Sequence, residues 1–194
     1  MPADFGSIDA DNPAHGNSSR SQELADKNPN FAWTGIVCGH FFDWGVKEGF
    51  LHAYLDKKKI DVIDGGNIKA SVATLPRVGE AVVRILNLGV TEVTKNKTLF
   101  IQSFCITQNE LLHSLEKATG SKWTVNKVES ESFIEEHKKK ADAGDAEAIE
   151  DLVFAVGQLD ANWTKRADFA MKPLGLEDED LDAVITEVVA NPTA

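Results

Sequence analysis

Apolar and polar residues follow two different periods along this chain, and the switches between them outline its elements. Residues 31–37 form a continuous apolar run of strand length, the pattern of a strand buried on both faces in a parallel sheet. Residues 59–63 and 68–73 are strand-like and flank Asp64-Gly65-Gly66-Asn67. Gly and Asn supply the positive φ angles of a tight turn, so these two runs predict a hairpin. Val78, Val82, Ile85 and Leu86 stand at helical spacing, with Gly89 as a stop. Residues 98–105 read as a second buried strand.

Capping chemistry outlines the second half. Thr107-Gln108-Asn109-Glu110 has the form of a capping box, in which the Thr hydroxyl and the Glu carboxylate each satisfy a free amide of the first turn. The helix it opens carries Leu111, Leu112, Leu115 and Ala118 and ends at Gly120. Residues 122–128 look like a strand. Ser132-Phe133-Ile134-Glu135 predicts another capping box, with a helix to about Ala143, and Asp145 caps a third helix striped by Ile149, Leu152, Val153 and Val156. A final helix is expected over 177–190, its acidic start Glu177-Asp178-Glu179-Asp180 solvated and facing the positive end of the helix dipole. By contrast, residues 6–30 are rich in Ser, Asn, Asp and Pro, a loop composition with at most a turn or two of helix over 21–27 before Pro29. The mixed order indicates an α/β class with some antiparallel pairing.

Composition and charge narrow the partners. A chain of 194 residues has room for one domain with a real core and little for two. A net charge of −11 argues against a general nucleic-acid binder, which needs a basic face, and against docking on anionic lipid. No apolar run approaches the ~20 residues that span a bilayer, and residues 1–6 have neither the basic nor the apolar region of a secretory signal, so a cytoplasmic protein is expected. Cys38 and Cys105 lie in apolar runs and read as buried free thiols.

Several chemistries have no motif. No two of the fourteen glycines stand two or three residues apart, so G-x-G-x-x-G fits nowhere, and no Walker-type loop is present. A diphosphate needs backbone amides at a helix N-terminus and a loop it can approach closely. His15, His40, His52, His113 and His137 have no metal-site spacing, and no G-x-S-x-G elbow is present. One dense segment remains, Trp33 through Gly45, where a buried strand runs into an aromatic cluster with one His and one Asp. Two readings stay open. Phe41, Phe42 and Trp44 wall an apolar pocket at the carboxyl end of the strand, with His40 orienting or protonating a ligand; or the aromatics are core and His40 is hydrogen-bonded in place.

Several segments taken in order resemble the NmrA-like, isoflavone-reductase-like proteins, an atypical branch of the short-chain dehydrogenases, especially fungal members. Pro2-Ala3-Asp4-Phe5-Gly6-Ser7 is similar to the family's P-S-x-F-G element, and Trp33-Thr34-Gly35-Ile36 through Phe41-Phe42-Asp43-Trp44-Gly45 to its next strand and loop. Asp64-Gly65-Gly66-Asn67-Ile68-Lys69-Ala70 resembles its G-D-G-N-x-K-A hairpin; Val78-Gly79, Asn96 to Ile101, Thr107 to Leu111 and Gly120 to Trp123 fit as well. The likeness covers residues 2–8 and about 27 to the end.

The resemblance implies the C-terminal part of a Rossmann-like NAD(P)-binding fold, with the N-terminal βαβ units absent. Residues 1–30 would be a shortened remnant of the nucleotide-binding domain and 31–194 the substrate-side region. It implies an NAD(P)H-dependent reductase of small aromatic substrates, using NADP(H) or NAD(H), or alternatively a non-enzymatic regulatory protein that senses the dinucleotide and binds a partner. Phe5 and Gly6 would lie near the nicotinamide, and His40, Phe41 and Phe42 on the substrate side. The family's phosphate loop lies upstream of the P-S-x-F-G element, and its active-site lysine on a helix between that element and the W-T strand. Lys27, directly before Asn28-Pro29, is the only lysine between Phe5 and Trp33 and falls at the end of that helix. As encoded, the chain is expected to lack both. An apolar strand at 31–37 without upstream neighbours leaves an open edge, so the isolated chain is expected to self-associate; sedimentation of a clean monomer with a cooperative melt would contradict this.

Overall fold

The structure, a computed structural model, describes residues 17–192. The Phe5-Gly6 element lies outside the described residues. In chain order these form α1 (Asn17–Lys27), β1 (Thr34–Val37), α2 (Phe42–Lys47), β2 (Ala53–Tyr54), β3 (Lys59–Ile63), β4 (Ala70–Val72), α3 (Leu75–Leu88), β5 (Lys97–Phe100), β6 (Phe104–Ile106), α4 (Gln108–Thr119), β7 (Thr124–Val128), α5 (Ser130–Asp142), α6 (Ala146–Leu159) and α7 (Leu181–Ala190). The strands make three small sheets: β1 parallel to β5, β3 between antiparallel β2 and parallel β7, and β4 antiparallel to β6. The mixed α/β class is as expected. β1 pairs with β5 alone among the described strands, and all four of its residues are half-buried.

Local chemistry sets most helix ends. Thr74 accepts from the Arg77 amide at 3.2 Å to start α3, and Pro76 sits in the first turn, where no helical hydrogen bond is lost. The Thr107–Glu110 capping box is complete, with Glu110 N donating to Thr107 Oγ1 at 3.1 Å and Thr107 N to Glu110 Oε2 at 2.7 Å. Asp145 caps α6 through the Glu147 and Ala148 amides. At the other end of the chain, α1 runs for 11 residues, longer than the turn or two its composition predicts.

Four expectations are corrected. The 64–67 turn does have positive φ at Asp64, Gly65 and Gly66, but it closes no hairpin. Both edges of β3 are taken by β2 and β7, while Asn109 Nδ2 holds the Gly65 carbonyl at 2.8 Å and turns the chain toward β6. The run 98–105 is two strands, because Ile101 N still bonds to Val37 O at 2.9 Å whereas Ser103 N already bonds to Val72 O at 2.8 Å. The backbone leaves one sheet and joins another within three residues. Helix α5 begins at Ser130, ahead of Ser132: the Asp64 carboxylate accepts from Ser130 N at 2.9 Å, and Ser132 Oγ donates to the Glu129 carbonyl. Finally, the last helix starts only at Leu181, with Asp180 as its cap; in the acidic run before it Glu177, Asp178 and Asp180 are exposed, as expected, and Glu179 is half-buried. Arg77 donates to the Glu177 carbonyl at 2.6 Å, Gln102 to Asp178 at 2.9 Å, and Thr74 and Ser103 to the Glu179 carboxylate.

The largest core cluster lies between α2, α4, α7 and strands β3, β4 and β6, with Phe42, Val62, Phe104, Leu115 and Ile185 at its centre. Phe42 meets Phe104 edge-on at 4.7 Å. Phe42→Ala is expected to cost about 3–5 kcal/mol in urea unfolding, and Leu86→Ala, on the exposed face of α3, under about 0.5 kcal/mol.

Candidate functional site

The segment after β1 is sewn to the end of β4. Ala73 N donates to the His40 carbonyl at 3.1 Å, and Phe42 N to the Ala73 carbonyl at 2.8 Å. These two bonds fix the backbone from which three sequence-identified residues diverge. Phe42 turns into the core, His40 turns under α6, and Phe41 points outward, 39% exposed. Trp44 is also exposed and lies 5.5 Å from the Phe50 ring. Asp43 accepts from Leu75 N at 2.9 Å and so ties α2 to the start of α3.

His40 is almost completely buried. Its Nε2 lies 3.2 Å from the Val153 carbonyl, which can only accept, so Nε2 carries the proton and the neutral ring keeps a lone pair on Nδ1. The imidazole presses against α6 at Gly157, where any Cβ would collide with the ring, and its edge meets Phe50 at 5.5 Å. Burial drives the His40 pKa down to about 4, against a smaller upward pull from the Val153 hydrogen bond.

His40 and Phe42 meet at a narrow cleft walled by Val72, Gln108 and Leu111 on one side and by Phe154 and Gln158 of α6 on the other. Its free volume is about 20 Å³, enough for roughly one water and far below the ~300 Å³ at which pockets accept an organic ligand. In this conformation the cleft does not admit an aromatic ring. Cys38 offers no nucleophile here, since burial pushes its thiol up to about 11 and keeps it protonated.

A second cluster escaped sequence reasoning. His52, Asp61, Asp151 and His137 form a continuous polar chain between β3 and the α5–α6 pair. His52 and Asp61 flank the β2–β3 turn, but Asp151 is 99 residues from His52, and no spacing rule joins them. Among the described residues, no group of three or more His, Cys, Asp or Glu side chains is placed to hold a metal, and no helix is long and apolar enough to cross a membrane.

No family model matches this chain. Among curated proteins it is similar to the oxidoreductase poxI of Penicillium oxalicum, 29% identical over 171 residues, which are 85% of this chain and 54% of that protein. Among solved structures it is similar to an isoflavone reductase, with a TM-score of 0.66 at 19% identity over 87% of this chain and 56% of the other. The NADPH complex of leucoanthocyanidin reductase from Vitis vinifera aligns with a TM-score of 0.67 at 14% identity, over 89% of this chain and 59% of the other. The chain therefore carries part of the isoflavone-reductase type of fold, and it spans about half the length of the curated relatives it matches.

The buried His40 makes stability depend on pH. Its folded pKa of about 4 lies below the ordinary ~6.5, so the unfolded chain binds the extra proton between those values. Stability is full above about pH 6.5 and falls as pH drops toward 4, by up to about 3 kcal/mol from this group. Urea midpoints at about pH 7 and about pH 4.5 are expected to differ more for the native chain than for His40→Gln, whose amide can still donate to Val153 but does not titrate.

Proposed function

We propose that this chain is the substrate-side part of a cytoplasmic NAD(P)H-dependent oxidoreductase of the isoflavone-reductase type, acting on a small aromatic molecule. In this reading residues 31–194 are the substrate-side region and residues 1–30 a shortened remainder of the nucleotide-binding domain. The observation that carries it is the junction at the carboxyl end of parallel strand β1, where ligands bind in sheets of this kind. A neutral, anchored His40 and the aromatic side chains around it occupy that position within a fold shared with reductases.

The residues described here do not fit the diphosphate of a nicotinamide coenzyme. Such a group needs open amides at a helix start, yet each N-terminus from α3 to α7 already carries a side-chain acceptor, Thr74, Thr107, Asp64 on the Ser130 amide, Asp145 and Asp180, while the six-residue α2, without a side-chain cap, gives its Phe42 amide to the Ala73 carbonyl and has Asp43 in its first turn. Three of these five caps are carboxylates, which repel phosphate. No G-x-G-x-x-G occurs in the 194 residues. Lys27, the last residue of α1, is exposed and ion-paired with Glu23, so it is not set to deliver a proton to the cleft. What these residues can supply is recognition and orientation: aromatic faces at Phe41 and Trp44, and one imidazole held in a single tautomer.

A second reading, a non-enzymatic regulatory protein that binds a partner, draws support from the apolar outer face of α3, where Leu86 is 73% exposed and Val83 is also uncovered. Titrating the purified chain into NADPH while following nucleotide fluorescence separates the two. The expected result is no saturable binding at micromolar concentrations and no turnover of aromatic ketones. Micromolar binding with turnover would overturn the assignment of the missing cradle, and tight binding without turnover would favour the regulatory reading.

A further inference from the structure

Helix α3 has two apolar faces, and the fold uses one of them. The inner face carries Ala81 and Ile85, which join Leu99, Met171 and Leu174 in a second core cluster, and the buried Arg77, which donates to the Glu177 carbonyl. At 3.6 residues per turn, Leu75, Gly79, Val82, Val83 and Leu86 fall within an arc of roughly 100° elsewhere on the helix. All five are exposed, Leu86 at 73% and Val83 at 55%. Val90, just past the Gly89 stop, adds a further uncovered apolar side chain at that end. A helix apolar on this much of its circumference is ordinarily enclosed, yet this stripe faces outward.

Three properties of the stripe say what covers it. Residues 75, 79, 82 and 86 advance in steps of four, three and four, the spacing of a seam that packs against another helix. The seam is also its own complement when reversed. About an axis between residues 82 and 83, Val82 comes opposite Val83, Gly79 opposite Leu86, and Leu75 opposite Val90, each pair occurring twice. Gly79 is a hole, since a Cβ built there meets no atom within 4 Å, and Leu86 is the most exposed knob. A parallel pair would set Leu86 against Leu86 and leave a gap between the glycines. Charge points the same way. Besides the buried Arg77, the ionised side chains of α3 are Glu80 and Arg84, paired with each other at 3.1 Å. Two molecules that each carry −11 therefore meet where charge is locally balanced, and a strongly basic partner finds nothing here to bind. In an antiparallel pair like flanks face each other, so Glu80 of one copy stands beside Arg84 of the other.

We propose that the outer face of α3 is a homodimer interface, in which the α3 helices of two copies pack antiparallel about a two-fold axis at Val82 and Val83, with Leu86 of each copy seated over Gly79 of the other. Such a contact is isologous, one patch serving both sides. The helix has 14 residues and is therefore about 21 Å long. One face of that length is smaller than the ~800 Å² per partner of a standard interface, so the dimer dissociates on dilution through the micromolar range. The open edge of β1 takes no part in it. This inference concerns assembly and holds whatever the chain binds, but a seated second copy closes the face to a different protein.

Sedimentation equilibrium of the 194-residue chain tests it. The average mass is expected to rise from that of one chain toward that of two between about 1 and 200 µM. Gly79→Leu fills the hole. No atom of the monomer lies near that position, so the variant should fold and associate at least about tenfold more weakly. If it does not fold, Leu86→Glu decides by the same reading, because its side chain is already in solvent. Single cysteines fix the orientation, with the native chain and its Cys38 and Cys105 as background. Val82→Cys lies at the axis and is expected to form an intermolecular disulfide under mild oxidation. Leu75→Cys, ~22 Å from its counterpart in the antiparallel pair, is expected to form none. A native chain that stays monomeric to about 200 µM, or a dimer that the folded variant forms as tightly, would overturn the proposal. Cross-linking of Leu75→Cys as readily as of Val82→Cys would do the same.

Discussion

Two backbone hydrogen bonds between residues 40–42 and Ala73 are the constraint on which the rest of the structure depends. They bring the end of the parallel β1–β5 pair against the start of α3 and set three consecutive side chains on three different courses. Phe42 is committed to the core between α2, α4 and α7, and Phe41 to the surface. His40 is committed to a slot under α6 that exists because residue 157 has no side chain. Once the imidazole is in that slot, burial disfavours its charged form and the Val153 carbonyl selects its tautomer. Geometry, burial and proton content at this junction thus share one cause.

Legibility in the sequence followed the range of the interactions. Elements ended by near neighbours were readable: the Thr107–Glu110 box, the Asp145 cap and the helix stop at Gly89 are all set within a few residues. Errors arose where a distant group intervened. Asp64-Gly65-Gly66-Asn67 has the conformational freedom of a hairpin turn, but Asn109 and the occupied edges of β3 redirect it. The acidic run before α7 reads as the first turn of the last helix, but Arg77, Gln102, Thr74 and Ser103 bond it from far along the chain and the helix starts only at Leu181. For the same reason the aromatic segment was visible but its division was not. Hydrophobicity identifies Phe41 and Phe42 equally, and only the position of Ala73 decides which of them is buried.

The charge of the molecule acts locally as well as globally. A net charge of −11 is a general property of the surface, but carboxylates at the starts of α5, α6 and α7 bring the same sign to the places where a fold of this type most readily receives an anion. Positive ligand-directed charge is correspondingly scarce near the cleft, whose walls are aliphatic and aromatic side chains with His40, Thr107, Gln108 and Gln158 among them.

The three-residue crossing at Ile101 to Ser103 has a further meaning. Taken separately, a two-stranded parallel pair and a two-stranded antiparallel pair are each too small to hold together in water. Here one continuous backbone supplies a strand to both and a hydrogen bond to each from within the crossing, while Trp163 Nε1 donates to the Ile101 carbonyl and braces the passage. The two pairs are thermodynamically a single object, and neither can fray without pulling on the other.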